Sequence, residues 1–317
     1  MSEQQGFPLS RPGRLYLTEG GTETEIMYKY GFELPHFAMF PLLDNPAAVT
    51  KMRDMFRYYL DVVAKHKLCA LIGGLDYRAS PDWGKLLGYS DAGLAEANLQ
   101  SIDFLRDVAA EYAHDIEQTL IQGLIGPRGD AYQQGHTITA EAAEDYHAIQ
   151  LTTLKKAGVD LALAITFNNV EESIGVARAA KTIGVPLAIS LTLNRNSTLG
   201  DGTPLADAIE QIDQATDHSV EFYSINCSHP IEYEPAIDGG PWLQRVRGVR
   251  PNASKMEKVA LCKIGHLESG DPVELGEQCG ELAKRYPHMD IWGGCCGTWD
   301  QHLDQIALNI RKVHGLA

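Results

Sequence analysis

The stretch DLALAITFNNVEESIGVARAAKTIGVPLAISLTL, residues 160–193, contains one complete strand–helix–strand unit. Its two ends, 160–167 and 186–193, are short apolar runs of the length and composition typical of buried strands. Between them, in residues 170–184, apolar side chains recur at steps of three and four, which predicts a helix. Gly184 and Pro186 mark the junction between this helix and the second strand. A strand, a crossover helix and a second strand in this order form a parallel pair.

The same alternation continues in both directions along the 317-residue chain. Further apolar runs occupy residues 14–21, 68–77, 119–127, 222–229, 248–254 and 290–297. Eight strand–helix units in series predict an α/β fold, a closed (β/α)8 TIM barrel that takes up residues 1–317 as a single domain. The alternative is an open doubly wound sheet, but the first run continues into EGGTETE and not into the G-x-G-x-x-G turn of a dinucleotide site.

The charge and the N-terminal sequence restrict the partners of the chain. With 27 basic and 42 acidic residues the net charge is −15, and no Lys/Arg-rich block is present. We therefore expect no nucleic acid and no anionic membrane among its partners, since both require clustered basic residues. The N-terminus lacks the pattern of a signal peptide, and no apolar run is long enough to span a bilayer. We expect a cytoplasmic protein that acts on small molecules.

A barrel enzyme carries its reactive groups at the C-terminal ends of the strands, where they meet at one mouth. Several polar and reactive residues fall at or just past the ends of the apolar runs: Glu19, Asp76, Tyr77, Thr166, Asn226, Cys227, Cys295 and Cys296. We expect these side chains to lie close together even though they are far apart in sequence.

Cys227, Cys295 and Cys296 form the principal metal-site hypothesis, with one thiolate from the sixth strand and two from the eighth. Three cysteines leave one position of a tetrahedral zinc ion open, which is typical of a catalytic rather than a structural site. The glycines that flank the pair, Gly293, Gly294 and Gly297, allow the sharp turn that two adjacent ligands need.

Other interpretations of the cysteines remain open at this point. A disulfide between the adjacent Cys295 and Cys296 is strained, and three buried free cysteines are a common packing arrangement. His229 is an alternative ligand, because it follows Cys227 by two positions. The remaining cysteines lie in apolar segments and are interpreted as buried: Cys69, Cys262 and Cys279.

An open three-cysteine zinc site favours alkyl transfer to a thiol. The three thiolates make the ion a poor activator of water, whereas a thiol that binds it is deprotonated and remains nucleophilic. The expected reaction is attack by a zinc-bound thiolate on an activated carbon. A zinc hydrolase and a non-catalytic zinc- or thiol-binding protein are the alternatives.

Four motifs resemble the homocysteine S-methyltransferase family, and the likeness extends from about residue 14 to 310. TEGGTETEI resembles the family's D-G-G-x-x-T-E-L motif, GPRGDAY its G-P-x-G-A-Y turn, and INCSHP and GGCCGT its segments with the zinc cysteines. The resemblance implies a (β/α)8 barrel with Zn²⁺ on Cys227, Cys295 and Cys296, a homocysteine-type thiol acceptor and a role in methionine biosynthesis. It also implies some self-association as a homo-oligomer. With no cobalamin or folate domain in the chain, we expect a small sulfonium or quaternary-ammonium methyl donor.

The substrate contacts follow from the same motifs. We expect Glu19 and the backbone of Gly20 and Gly21 to hold the polar groups of the acceptor. Tyr77 is expected to line the donor pocket, since an aromatic face attracts a methylated cation. Thr166 and Asn226 are expected to make further polar contacts.

The chain departs from the family pattern in the half of the site that would bind the amino acid. Glu19 replaces the first-strand Asp, and Arg78 replaces a Gln after the second strand. The fourth-strand E-T, whose Glu holds the amino group of homocysteine in the family, reads AIT and places Ile165 there. The segment RPNAS also lacks the glycine of the seventh-strand P-N-x-G. We expect a thiol without that ammonium, or an ammonium bound by another group such as Asp76 or Glu19.

Overall fold

Eight parallel strands form a closed barrel in strict sequence order. The computed structural model describes residues 7–8, 10–132, 138–256, 260 and 265–316. The strands are β1 (Tyr16–Leu17), β2 (Cys69–Ile72), β3 (Thr119–Ile125), β4 (Leu161–Phe167), β5 (Leu187–Leu191), β6 (Tyr223–Asn226), β7 (Val246–Arg250) and β8 (Ile291–Trp292). The barrel closes where Tyr16 pairs with Ile291 and Leu17 with Trp292. The predicted TIM barrel is therefore confirmed, and the open sheet is wrong.

Helices alternate with the strands and surround the barrel. In the described part of the chain they are α1 (Thr22–Tyr28), α2 (Pro46–Lys65), α3 (Pro81–Leu86), α4 (Asp91–Ala110), α5 (Ala140–Ala157), α6 (Val170–Ile183), α7 (Leu205–Thr216), α8 (Pro230–Tyr233), α9 (Pro272–Arg285) and α10 (Asp300–Val313). Short 3₁₀ turns cover Pro35–Phe37, Phe40–Asp44, Glu234–Ala236 and Pro241–Arg245. None of the helices in these described segments combines the length and the apolar character needed to cross a membrane.

Helix ends coincide with capping residues and glycines in the sequence. The side chain of Asn169 accepts a hydrogen bond from the amide of Glu172 at 2.8 Å and begins α6. Gly184 ends α6 in the left-handed conformation with φ of 77°, and Gly158 ends α5 in the same way with φ of 69°. The junction expected at Gly184 is confirmed, and Gly158 marks a junction of the same kind.

The strands are shorter than the apolar runs that predicted them, and most of the excess lies at their C-terminal ends. Strand β2 ends at Ile72, for example, while the apolar run continues to residue 77. The additional residues form the loops at the mouth of the barrel, because Gly73 and Gly74 turn the chain there while its apolar composition continues. Strand β7 also differs from its predicted run at the N-terminal end, because it begins at Val246 and not at residue 248.

Two apolar layers support the mouth. One lies between the barrel and the helices and includes Leu17, Val249 and Trp292. The other fills the barrel interior with side chains from several strands: Tyr16, Leu71, Leu120, Leu124, Leu163, Ile165, Phe222 and Ile291. Because this interior is packed, a substrate can reach the protein only at the strand ends.

Candidate metal centre and substrate site

The three predicted cysteines meet at the mouth of the barrel. Cys227 directly follows β6, and Cys295 and Cys296 lie in the loop after β8. Their sulfur atoms all lie within 4.8 Å of one another, and the Cys227 and Cys296 sulfurs are 3.9 Å apart. Cys227 and Cys295 are paired as a disulfide in this structure. The barrel thus brings together the residues that the sequence separates.

This donor set fits a soft divalent metal ion when the cysteines are reduced. Tetrahedral zinc with sulfur ligands at about 2.3 Å places its sulfurs roughly 3.8 Å apart, close to the observed 3.9 Å between Cys227 and Cys296. In the described parts of the chain, these three cysteines are the group of His, Cys, Asp and Glu side chains with suitable spacing. Three ligands leave one tetrahedral position for a substrate atom.

Among the described residues, His229 is not part of this cluster of candidate ligands. Its Nδ1 accepts a hydrogen bond from the amide of Ile231 at 3.3 Å, and its own amide donates to Glu232 Oε2 at 3.0 Å. Burial lowers the pKa of His229 to about 4, so the imidazole is neutral at physiological pH. His229 begins α8 as its N-cap, which explains its position next to Pro230.

The other cysteines have the environment expected of packing residues. Cys69 lies at the start of β2 in the barrel interior, and Cys279 is fully buried in α9. Both are free thiols. Cys262 lies outside the described residues.

Asn226 connects the end of β4 to the three clustered cysteines. Its Oδ1 accepts from the Thr166 amide at 3.0 Å, and its Nδ2 donates to Thr166 Oγ1 at 2.8 Å and lies 3.9 Å from Cys295 Sγ. Thr166 and Cys227 both have left-handed backbones, with φ of 66° and 48°. Such conformations are costly for residues with a β-carbon and need support from their surroundings. The pairing makes Asn226 a positioning residue in addition to the substrate contact expected from the sequence.

Replacing Asn226 with alanine is expected to destabilise the fold by about 2 kcal/mol, because the buried Thr166 amide loses its partner. Metal affinity should fall in the same variant, since the ends of β4 and β6 are no longer held together. Thr166→Ala removes only the hydroxyl contact and should cost less, about 1 kcal/mol. Urea unfolding and competition with a chromogenic chelator measure the two effects. Equal losses for both variants would contradict this role of the Asn226 carbonyl.

The loop with the two cysteines packs directly against the β1–α1 loop. The Gly21 amide donates to the Thr298 carbonyl at 2.9 Å, and the Gly297 amide donates to Thr24 Oγ1 at 3.1 Å. A β-carbon on Gly21 would lie 2.5 Å from the Cys295 carbonyl oxygen, so only glycine allows this approach. The structure thus places Gly20 and Gly21 at the site, but the Gly21 amide is already bound by protein.

Glu19 forms a buried ion pair that sequence reasoning missed. Its Oε1 lies 2.7 Å from Arg250 Nη2, and its Oε2 accepts from the Gly73 amide at 3.0 Å. Arg250 Nε donates to the Gly294 carbonyl at 3.2 Å. Glu19 and Arg250 are only 1% and 5% exposed. Together these contacts join the ends of β7, β8, β1 and β2 and form the floor of the mouth. The signal was present in RPNAS, in which Arg250 is a basic residue at the end of an apolar strand run.

The loop after β2 provides the opposite wall. Tyr77 is partly buried and packs on the interior layer. Asp76 is fully buried, and its Oδ1 accepts from the Leu124 amide at 3.0 Å. Burial raises the pKa of Asp76 to about 7. Arg78 stacks on Trp83 at 4.2 Å and donates to the Gly129 carbonyl at 2.6 Å. These contacts stabilise the loop after β2.

Ile165 is 5% exposed and belongs to the apolar layer inside the barrel. No carboxylate therefore projects from this position of β4. A residue that the sequence did not single out, Glu23, lies instead in the first turn of α1 and is partly accessible.

Known proteins share both the sequence pattern and this architecture. Residues 16–310 match the family model for homocysteine S-methyltransferase. Homocysteine S-methyltransferase from Escherichia coli (strain K12) is 26% identical over 284 residues, which cover 81% of this chain and 82% of that protein. Homocysteine S-methyltransferase YbgG from Bacillus subtilis (strain 168) is 23% identical over 253 residues, 71% and 76% of the two chains.

Among solved structures, the metallated form of the homocysteine methyltransferase MmuM from Escherichia coli superimposes with a TM-score of 0.70 at 21% identity. The match covers 93% of this chain and 96% of that one, and the oxidized form of the same enzyme gives a TM-score of 0.71. These structural matches support the barrel fold. Because the family model spans most of the sequence, the chain belongs to the homocysteine S-methyltransferase family and is an enzyme of the thiol S-methyltransferase class.

Proposed function

We propose that the protein is a zinc-dependent S-methyltransferase that moves a methyl group from a small sulfonium or quaternary-ammonium donor to homocysteine or a related thiol. The observation that carries this proposal is the convergence of the Cys227, Cys295 and Cys296 sulfurs within 4.8 Å at the mouth of the barrel. The related MmuM from Escherichia coli has been solved in a metallated form, which agrees with metal binding in this fold.

Zinc, when bound by the three cysteines, supplies the positive charge that keeps an acceptor thiol deprotonated at neutral pH. No separate general base is then needed. In the transfer, the acceptor sulfur forms a bond to the methyl carbon while the bond from that carbon to the donor sulfur or nitrogen breaks. The electron pair of the broken bond leaves with the donor, which loses its positive charge.

The remaining residues orient the two substrates. Asn226 and Thr166 hold the cysteine-bearing strand ends, and Gly20 and Gly21 allow the β1–α1 loop to lie over them. Tyr77 offers an aromatic face at the wall of the mouth, where a methylated cation is attracted by the ring. Glu19 acts through its ion pair with Arg250, which shapes the floor beneath the acceptor.

The same proposal includes the cellular location, the domain organisation, the pathway and the assembly of the protein. We place the reaction in the cytoplasm, where thiols stay reduced, with residues 1–317 acting as one barrel domain. With homocysteine as acceptor the product is methionine, so the reaction would belong to methionine biosynthesis. Assembly as a homo-oligomer is part of the proposal.

The test uses purified, reduced, zinc-loaded protein with a panel of thiols and two donors, S-methylmethionine and betaine. Mass spectrometry of the S-methylated product measures transfer, and calorimetry measures thiol binding. We expect about one zinc per chain and turnover with at least one thiol–donor pair. Thiol binding without turnover would identify a non-catalytic member of the family, and protein that retains no zinc would contradict the metal site.

A further inference from the structure

The mouth contains an unusual distribution of charge. Glu19 at its floor is balanced by Arg250, and Ile165 leaves the end of β4 without a carboxylate. A substrate cation that enters this mouth therefore requires an anionic partner from another element, since an unpaired charge is costly to desolvate.

Two of the acidic side chains near the mouth are not available to a substrate. Glu19 is 1% exposed, and its two oxygens face Arg250 and the Gly73 amide. Asp76 is 0% exposed and accepts from the Leu124 amide. Both side chains are buried within the protein, and neither is accessible from solvent.

Glu23 is placed differently. Thr24 on one side of it binds the Gly297 amide of the cysteine loop, and Thr22 on the other side lies against Gly74 of the β2 loop. The first turn of α1 therefore bridges the metal-site loop and the wall that carries Tyr77. Glu23 itself is partly accessible, and its Oε2 accepts a hydrogen bond from Thr22 Oγ1 at 3.0 Å.

The electrostatic neighbours of Glu23 include groups on the floor and on the opposite wall of the mouth. Burial raises the pKa of Glu23; Arg250 opposes this shift and Glu19 adds to it. Burial also raises the pKa of Asp76 and of Tyr77, and the charge of Glu23 contributes to both. Groups on the floor and on the opposite wall thus both interact with the Glu23 charge.

We propose that Glu23 is the specificity-determining carboxylate that binds the positively charged group of a substrate at this mouth. The proposal rests on the methyl-transfer function above and names its substrate class, a molecule with an ammonium, quaternary-ammonium or sulfonium centre. Glu23 is partly accessible and, among the described residues, forms no ion pair of the kind that joins Glu19 to Arg250, while the Tyr77 ring provides a second surface that attracts a cation.

This role is tested by measuring the affinity of three small molecules for the zinc-loaded protein. The molecules distinguish a positive charge on the acceptor from one on the methyl donor. 3-Mercaptopropylamine is a thiol with an ammonium, 4-mercaptobutanoate is a thiol of the same length without one, and betaine represents a cationic donor. The variants are Glu23→Gln, Glu23→Asp and, as a matched control, Glu33→Gln. Glu33 is exposed, and its replacement removes the same charge outside the first turn of α1.

We expect Glu23→Gln to weaken binding of 3-mercaptopropylamine by about 10- to 100-fold, the effect of losing a charge-assisted contact. Affinity for 4-mercaptobutanoate should stay the same or rise, Glu23→Asp should recover part of the loss, and Glu33→Gln should match wild type. If betaine rather than the amine loses affinity, the bound cation belongs to the donor, and the role of Glu23 is still supported. Zinc content and the urea midpoint of each variant verify the fold.

Two results would overturn the inference alone. Unchanged affinity for both cationic probes in Glu23→Gln, or an equal loss for 4-mercaptobutanoate, removes Glu23 from cation binding and leaves the methyltransferase proposal intact. A wild-type protein that binds zinc but none of the thiols would instead overturn the proposed function and the inference together.

Discussion

Cys296→Ser is expected to lose stoichiometric zinc and to reduce methyl transfer by at least about 1,000-fold. A serine hydroxyl is a far weaker ligand for a soft ion than a thiolate, so the metal keeps only two strong protein ligands. Without the ion the acceptor thiol has its ordinary pKa of about 8.5 and is mostly protonated at pH 7. Zinc content by atomic emission and product formation by mass spectrometry are the measurements.

Cys69→Ala is the matched control for this prediction. Cys69 lies in the barrel interior at the start of β2, away from the strand ends that form the mouth. Its replacement should lower stability by no more than about 1–2 kcal/mol and leave zinc content unchanged. Full zinc occupancy and activity in Cys296→Ser would exclude Cys296 as a ligand and would require another third donor.

Arg250→Met is expected to destabilise the protein by about 3–5 kcal/mol, the largest stability effect that we expect for a charged residue of the mouth. The substitution leaves Glu19 buried at 1% exposure with only the Gly73 amide as a partner. It also removes the contact to the Gly294 carbonyl, so the loop that carries Cys295 and Cys296 loses support. Urea unfolding of the reduced protein measures the loss.

A double-mutant cycle separates this ion pair from simple loss of packing. Glu19→Gln alone should also be strongly destabilising, whereas Glu19→Gln combined with Arg250→Met should recover much of the loss, because no unpaired charge remains. Lys181→Met serves as the control, since its pair with Asp217 at 2.9 Å is exposed and should contribute less than about 1 kcal/mol. Additive losses in the double variant would show that Glu19 and Arg250 do not interact.

The part of the site expected to bind the acceptor contains features that could not be predicted from the sequence. The change from Glu to Ile165 was visible in AIT, and the structure adds that Ile165 belongs to the packed barrel interior. The sequence did not show that Glu19 is unavailable to a substrate. Its ion-pair partner Arg250 comes from β7, and β8 lies between β7 and β1 in the barrel. The importance of Glu23 was equally hidden, since an acidic residue in the first turn of a helix is common for reasons of helix stability alone.

The sequence by itself determined the barrel, the three cysteines and the family. Strand–helix alternation is a local property, and the closure of parallel strands brings their C-terminal ends together whatever the side chains are. Tertiary structure alone decided which polar side chains contact each other around the mouth: Arg250 neutralises Glu19, Asn226 holds Thr166, and His229 caps α8. Those contacts depend on strand register and on the direction of individual side chains, and both are set by the packing of the whole barrel.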